Sequence, residues 1–578
     1  MLADVVVLTY QGPGVGYFTY KIPDNLKGQI KIGQIVEVPF GKRNPLGVLV
    51  NTRPVLAESL ARTGLVEGQI KPISSIITEN PIFLPYQLKL LDWMSKYYLA
   101  PTVNCLEAIL PFNEIQLKKL LSDNGTVKFS INSNNKTQQT LVLVPSINRI
   151  PETLAKYKNR NYLVFHSQLK PNEKFDIWKK LLSENVETVF GSRSAIFLPS
   201  PNLKKVIIYD EHANAYKDDR SPYYDSLTIL DKICQFTGAK LEINDDSPKV
   251  TTYQIMEKSF NFPVKKSSKK VRVVSMTNEK LSGNKSPISD LLQKLIIQNY
   301  KLKGSTLLFL NKKRESGSLF CRSCKTHLFL EKDPKQCPEC KSFDFFFNSL
   351  NIQSLKKEII KFMPTARINL ITETSAKLPT TNYALPTIDI ATSAVLYSQN
   401  LIKYDLIAHV SVDHLLNLPE YTSAEKTYQQ ISDLKKLAKD KGILILQTAD
   451  PENSVIQSSA NSDYQVLFQN DIKERKMLDF PPFSLIIKLK IKGKSAEKIQ
   501  KEAADLIEKL AKSNPEIIII GPFPSVFREK LPNYNIILKY PVDSFSLPER
   551  EKAIGNLRQG LKNLSRNWQI IVEPDSLN

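Results

Sequence analysis

Residues 187–217 read ETVFGSRSAIFLPSPNLKKVIIYDEHANAYK. Within them, Val206-Ile207-Ile208-Tyr209 is a short apolar run that ends in Asp210-Glu211-His212. A run without polar alternation suits a parallel strand buried on both faces. Carboxylates at the C-terminal end of such a strand stand where open α/β sheets hold nucleotide and magnesium. Taken alone, an Asp-Glu pair after an apolar run reads more readily as a solvated turn at a strand end, so the rest of the chain has to decide between the two.

At 578 residues the chain has room for three to five domains of roughly 100–200 residues each, and 42% hydrophobic residues can supply their cores. Lys and Arg number 79 against 58 Asp and Glu, a formal charge of +21. That excess favours a polyanionic partner, either nucleic acid or an anionic membrane surface. No apolar run approaches the roughly 20 residues of a membrane-spanning helix. Met1-Leu2-Ala3-Asp4 opens a strand rather than the basic-then-apolar layout of a signal peptide. The expectation is a cytoplasmic, nucleoid-associated protein with DNA as its ligand and no membrane partner. A lysine-rich surface that serves only solvation is the alternative that charge alone leaves open.

Six cysteines in a cytosolic chain argue against a disulfide framework. Four of them form Cys321-x-x-Cys324 and Cys337-x-x-Cys340, with twelve residues between the pairs. Each C-x-x-C turn can direct two thiolates at one centre, and two such turns close a tetrahedral zinc site with Zn–S near roughly 2.3 Å. One zinc ion held by Cys321, Cys324, Cys337 and Cys340 is expected. A redox pair fits less well, because two matched turns need no exchange partner. His327 between them reads as a bystander, and the isolated Cys105 and Cys234 as small buried hydrophobes.

The first hundred residues are patterned as a small all-β fold, with strands at Ala3–Leu8, Tyr17–Ile22, Gln34–Pro39 and Pro45–Asn51 separated by turn residues. Gly12, Gly14 and Gly16 are not a dinucleotide fingerprint, since Tyr17-Phe18-Thr19-Tyr20 follows as β pattern and not as a helix. Tyr86–Leu99 is amphipathic and predicts a helix whose Trp93, Tyr97 and Tyr98 belong to the core. Asn113–Thr140 is polar and only 28 residues long. No G-x-x-x-x-G-K-[ST] occurs anywhere, and only 20 residues are Gly. The backbone cradle and lysine that such a loop gives β- and γ-phosphates are therefore not encoded in that form.

Gly191-Ser192-Arg193-Ser194-Ala195-Ile196-Phe197-Leu198-Pro199 resembles the G-T-R-S-A-x-F-x-P signature of the PriA-type replication-restart helicase family, also called primosomal protein N-prime. The resemblance continues in order along nearly the whole chain. Val144-Pro145-Ser146-Ile147 stands at the family's V-P-E-I and His166-Ser167-Gln168-Leu169 at its H-S-G-L, with Glu173 and Trp178 following. Then come Leu308–Lys313, the cysteine cluster and Leu416-Asn417-Leu418-Pro419-Glu420. Phe480-Pro481-Pro482-Phe483-Ser484, Gly521-Pro522-Phe523-Pro524 and Val572-Glu573-Pro574-Asp575 match its C-terminal landmarks.

The resemblance implies a role for the N-terminal domain, the capture of the 3′ end of a nascent strand. Phe18-Thr19-Tyr20 falls on the family's F-D-Y triplet, Pro39-Phe40-Gly41-Lys42 on its P-F-G-K turn, and Lys71 on the lysine before its next strand. Phe18 and Tyr20 would stack the terminal base, Gly41 would let backbone approach the sugar and Lys71 would take phosphate. Thr19 replaces the family's Asp. The family carries eight cysteines in two zinc sites, and only the outer pairs, which share one metal, are kept here. The family's D-E-E-H aligns with Tyr209-Asp210-Glu211-His212, its serine-alanine-threonine motif with Leu241–Val250, and its arginine-finger segment with Asp433–Asp440. Leu437 and Asp440 then stand where the arginines should be.

The expected fold class is therefore multidomain α/β. A 3′-end DNA-binding β domain spans residues 1–112 and a polar linker 113–138. A degenerate RecA-like lobe follows at 139–250, then a second at 255–450 with a zinc knuckle at 319–345, and an α/β C-terminal domain at 455–578. The expected function is a DNA-binding protein of replication restart that recognises forked or 3′-ended DNA and helps to load the replication machinery. It would be a pseudo-helicase rather than an enzyme, without catalytic residues and without ATP as a cofactor. Single-strand-binding protein and primosome or helicase-loading proteins are the expected partners. The rival readings are an ATP-dependent 3′-to-5′ helicase with a non-standard nucleotide site, and a zinc-dependent partner-binding module with no DNA role. The basic stretch Lys265–Arg272 is expected to be a loop, either a solvated linker or a DNA contact.

Overall fold

The computed structural model describes the chain apart from residues 10–15, 55–69, 124–136, 158–160, 257–268, 311–316, 325–326, 331–333, 349, 373–385, 398–402, 526–530, 563 and 578. Gly12 and Gly14 lie outside the described residues, as does the first half of the basic stretch Lys265–Arg272. Two compact units result, Met1–Asp245 with Asp479–Asn578, and Asp246–Leu478.

The first unit opens with β1 (Leu2–Val7), β2 (Phe18–Lys21), β3 (Ile35–Glu37), β4 (Leu46–Arg53) and β5 (Ser75–Ile76). They form one antiparallel sheet in the order β2-β1-β4-β3-β5. Every residue of β1 is buried. Ala3, Val5 and Val7 join Tyr20, Val36, Leu49 and Ile73 in one core, while a helix at Thr102–Ile109 packs against the same strand. The predicted aromatic helix spans Pro85–Tyr97. Pro85 sits at its start, where its fixed φ and missing N–H cost nothing, and the Leu84 N–H donates to Gln87 Oε1 at 2.8 Å. Trp93, Tyr97 and Tyr98 are buried, as their spacing predicted.

Next in the same unit come β6 (Gln139–Leu143), β7 (Tyr162–Phe165), β8 (Thr188–Gly191), β9 (Leu203–Tyr209) and β10 (Lys240–Asn244). The sheet order is β10-β9-β6-β8-β7 and every pair is parallel. The apolar run Val206–Ile208 is thus an internal strand covered on both faces. Gly191 ends β8 because nothing larger fits, since a Cβ there would lie 2.6 Å from the Phe165 carbonyl oxygen. The unit closes with a four-stranded antiparallel sheet, in which Ser484–Lys492 runs between Asn533–Pro541 and Trp568–Val572, with Ile518–Pro524 at one edge.

The second unit holds a six-stranded parallel sheet, in the order Lys270–Ser275, Ala438–Thr448, Tyr404–His409, Ser305–Phe309, Thr387–Ala391, Ile368–Ile371. Apolar clusters cover both of its faces. A three-stranded antiparallel sheet, with Gly317–Cys321 between His327–Leu330 and Phe345–Asn348, carries the cysteines. Multidomain α/β with two parallel sheets and an inserted knuckle is the architecture expected from sequence. The basic loop needs correction from Lys270 onward. Lys270–Ser275 is a strand, because Val271 and Val273 alternate with the charged residues and pack on the core.

Candidate functional site

At the N-terminal sheet, strand alternation points Phe18 and Tyr20 the same way. Tyr20 lies opposite Ala3 in the register, and the room left by that small neighbour takes the ring inward. Tyr20 is 4% exposed, and burial pushes its hydroxyl pKa up to about 12. Its face is therefore not offered for stacking, contrary to the expectation for this residue. Phe18 remains half-buried, with its ring edge-to-face on Phe40 at 4.9 Å. Phe40 opens a tight turn in which the Phe40 N–H donates to the Arg43 carbonyl at 2.8 Å and the Arg43 N–H to the Phe40 carbonyl at 3.1 Å. Gly41 takes φ 62 there, the left-handed conformation that glycine adopts without strain. Gly41, Lys42 and Arg43 are all exposed. Lys71 is exposed at the other end of β2, where its carbonyl accepts from the Lys21 N–H at 2.9 Å.

Position 19 shows what the sequence could not. The Thr19 hydroxyl donates to Asp4 Oδ1 at 2.9 Å, while Asp4 Oδ2 accepts from Arg53 at 2.7 Å and Asn51 at 3.2 Å. A buried carboxylate thus lies beside Thr19, supplied from β1. Asp4 was missed because no short-range motif links it to residue 19.

Along the parallel sheet of the first unit, the loops after the strands gather the motif residues. Asp210 follows β9 at φ 48 and pairs with Arg149 at 3.0 Å. His212 Nδ1 meets Asp245 Oδ2 at 2.6 Å, and both groups are buried. Asp245 lies in the segment aligned with the coupling motif and was not singled out beforehand; its place one residue past β10 was the available signal. The Tyr209 hydroxyl meets that of Tyr157 at 3.2 Å. Ser146, His166 and Ser194 follow β6, β7 and β8, and Ser146 Oγ, His166 Nδ1 and Ser194 Oγ are buried without a hydrogen-bond partner among the described residues. Burial lowers the His166 pKa below its usual value, and Lys174 adds to that against the pull of Glu173.

In the second unit, Leu437 is buried just past the helix Ser423–Lys436, and Asp440 pairs with Lys269 at 2.8 Å. Ligand atoms of Cys321, Cys324, Cys337 and Cys340 all lie within 4.8 Å of one another, with Cys321 and Cys337 buried. Four sulfur donors this close suit a soft or borderline metal in tetrahedral geometry. Of His327, only its place in a strand is described.

A family model for the PriA 3′ DNA-binding domain matches residues 6–111. The replication restart protein PriA of Bacillus subtilis is 27% identical over 70% of this chain and 56% of its own length. That of Borreliella burgdorferi is 24% identical over 86% of this chain and 88% of its own. The chain spans just over half of the first relative. Among solved structures, the Mycobacterium smegmatis helicase Lhr bound to ssDNA and AMP-PNP aligns at 11% identity and a TM-score of 0.34, over 66% of this chain and 50% of its own. The expectation of a protein that is not an enzyme is corrected by the relatives. They carry the name of a family whose members are ATP-dependent helicases and align over most of this chain, so the missing loop does not establish the loss of catalysis.

Proposed function

The chain is a relative of the PriA-type replication restart proteins, and from that premise we propose that it binds forked or 3′-ended DNA and helps to load the replication machinery. The observation that supports this reading most is the Phe18–Phe40 pair beside the Gly41 turn, within the segment that matches the 3′ DNA-binding domain. A half-exposed aromatic edge offers a base a surface to stack on, a glycine lets backbone approach the sugar, and Lys71 takes phosphate without reading sequence. Tyr20 supports Phe18 from within the core. The buried hydroxyls and imidazole of Ser146, Ser194 and His166 stand at the strand ends where α/β sheets bind ligands, and they suit the backbone of a DNA strand. The four cysteines hold one zinc ion as a structural knuckle. Single-strand-binding protein and primosome or helicase-loading proteins are the proposed partners.

The test is fluorescence anisotropy of full-length protein with forks that differ only in a free or phosphorylated 3′ end. End capture requires tighter binding to the free end and a loss on Phe18→Ala. Equal affinity for both forks, with Phe18→Ala binding like the unaltered protein, would rule it out.

A further inference from the structure

The chain enters the second unit at Asp246 and leaves it at Leu478, and these two segments meet inside that unit. The entering helix Val250–Met256 and the leaving helix Tyr464–Met477 share an apolar cluster of Val250, Tyr253, Tyr428, Tyr464, Leu467 and Phe468. Tyr428 belongs to the helix Ser423–Lys436, which makes that helix the third member of the group. The Tyr464 hydroxyl donates to the Pro248 carbonyl at 2.8 Å, and the Gln465 amide donates to the Tyr253 hydroxyl.

A buried charged triad joins the same three helices. Glu425 Oε2 accepts from the Val250 N–H at 2.6 Å and from Arg475 Nη2 at 3.1 Å. Asp471 Oδ2 lies 2.7 Å from that same nitrogen. Glu425 is 4% exposed, Asp471 5% and Arg475 2%. One guanidinium therefore answers two carboxylates away from water, and with both ionised the triad carries a net negative charge, which is costly in such surroundings. The Tyr421 ring lies 5.3 Å from the guanidinium. Burial is the main cause that raises the Asp471 pKa to about 6; Arg475 pulls it down, while Glu425 and Glu474 push it up. The helices Val250–Met256 and Ser454–Asn461, packed on the same group, contain no Asp, Glu, Lys, Arg or His.

We propose that Glu425, Arg475 and Asp471 form a charge-sensitive latch that holds the entering and leaving segments together, so that the two loosen as one. Glu425 closes it, because a single oxygen binds the entering backbone and the leaving side chain. Asp471 weakens it when ionised, because it draws on the same guanidinium and adds the excess charge. A proton on Asp471 leaves Arg475 to Glu425 alone. Since the folded-state pKa is raised, this contribution is fully present below the ordinary Asp value of about 3.9 and is lost as pH rises through about 6. The latch lies outside the N-terminal domain and stands whether or not that domain captures 3′ ends.

Hydrogen exchange of the full chain, read by mass spectrometry and corrected for the intrinsic rate at each pH, tests the latch. Glu425→Met keeps the side-chain bulk and removes the shared acceptor. At neutral pH it is expected to speed exchange in both 248–256 and 464–478 by about tenfold or more, while the internal strand Tyr404–His409 keeps its protection. Asp471→Asn should act in the opposite direction and slow exchange in both segments. The unaltered protein should lose protection in both between about pH 4 and about pH 6, a fall that Asp471→Asn removes. The proposal is overturned if Glu425→Met loosens one segment without the other, or loosens Tyr404–His409 equally. It is also overturned if Asp471→Asn speeds exchange or leaves the fall with pH in place, a result that decides the matter even where Glu425→Met does not fold.

Discussion

The Thr19 hydroxyl donates to the Asp4 carboxylate at 2.9 Å across the β1–β2 pair. Arg53 reaches the same carboxylate at 2.7 Å and the Thr19 hydroxyl at 3.2 Å. Asp4 is 1% exposed, so its oxygens are answered by these donors rather than by solvent. Asp4→Asn is expected to cost about 1–3 kcal/mol in urea unfolding, because Arg53 loses its ionic acceptor. Thr19→Asp places two carboxylates side by side and should destabilise as well. The exchange Asp4→Thr with Thr19→Asp should recover part of both losses, a coupling that a double-mutant cycle would read directly.

Binding at a DNA end should separate the two aromatic residues of β2. Phe18→Ala is expected to lose roughly 1–3 kcal/mol of affinity, the usual worth of a base–aromatic stack, with little change in melting. Tyr20→Ala empties core volume and should destabilise the domain by roughly 3–5 kcal/mol. Lys71→Ala should mainly flatten the dependence of affinity on salt, as counterion release requires. Anisotropy across a salt series, together with melting curves, tests all three.

Metal analysis should return one zinc per chain. Cys337→Ser should lose it, and a strong chelator should lower the melting temperature of the unaltered protein, since metal binding is coupled to folding of such a knuckle.

His409 predicts a pH dependence in the second unit. Burial is the main cause that lowers its pKa to about 4, against the raising effect of the hydrogen bond to Gln430 at 2.8 Å. The folded state thus holds the ring neutral, while the unfolded chain protonates near 6.5. Its contribution is fully present above about pH 6.5 and is lost as pH falls toward 4, by up to about 3 kcal/mol. Unfolding of His409→Gln should show a shallower loss over that window; an unchanged slope would remove His409 as its source.

Glu573 joins parts of the first unit that are far apart in sequence. Burial raises its pKa, but Arg550 at 2.5 Å and Lys217 outweigh that and hold it below the usual glutamate value. Arg550 also donates to Thr228 at 3.1 Å and Tyr97 at 3.3 Å. Glu573→Ala leaves Arg550 buried without its counter-charge and should cost about 3–5 kcal/mol. Because the folded pKa is lowered, the stabilisation is present above the normal glutamate pKa and fades as pH drops through the folded one.

The sequence by itself determined four of the five strands of the N-terminal sheet, since alternation and turn residues are local signals; the two-residue strand Ser75–Ile76 is too short to leave such a pattern. It also determined the internal strand ending at Tyr209, which had to be buried on both faces because its apolar run has no polar break. The cysteine spacing was sufficient to pick out four residues that do converge. Tertiary structure decided the rest. Phe18 and Tyr20 have the same periodicity, and only the cross-strand neighbour Ala3 shows why one ring is buried and the other reaches the surface. The carboxylate beside Thr19 comes from a different strand, and Asp245 meets His212 from 33 positions along the chain. The Arg550–Glu573 pair gathers Tyr97 and Thr228 from segments hundreds of residues away. Side-chain partnerships of that kind depend on which strands and helices become neighbours. That choice is made by packing of the whole core, which no local pattern in the chain records.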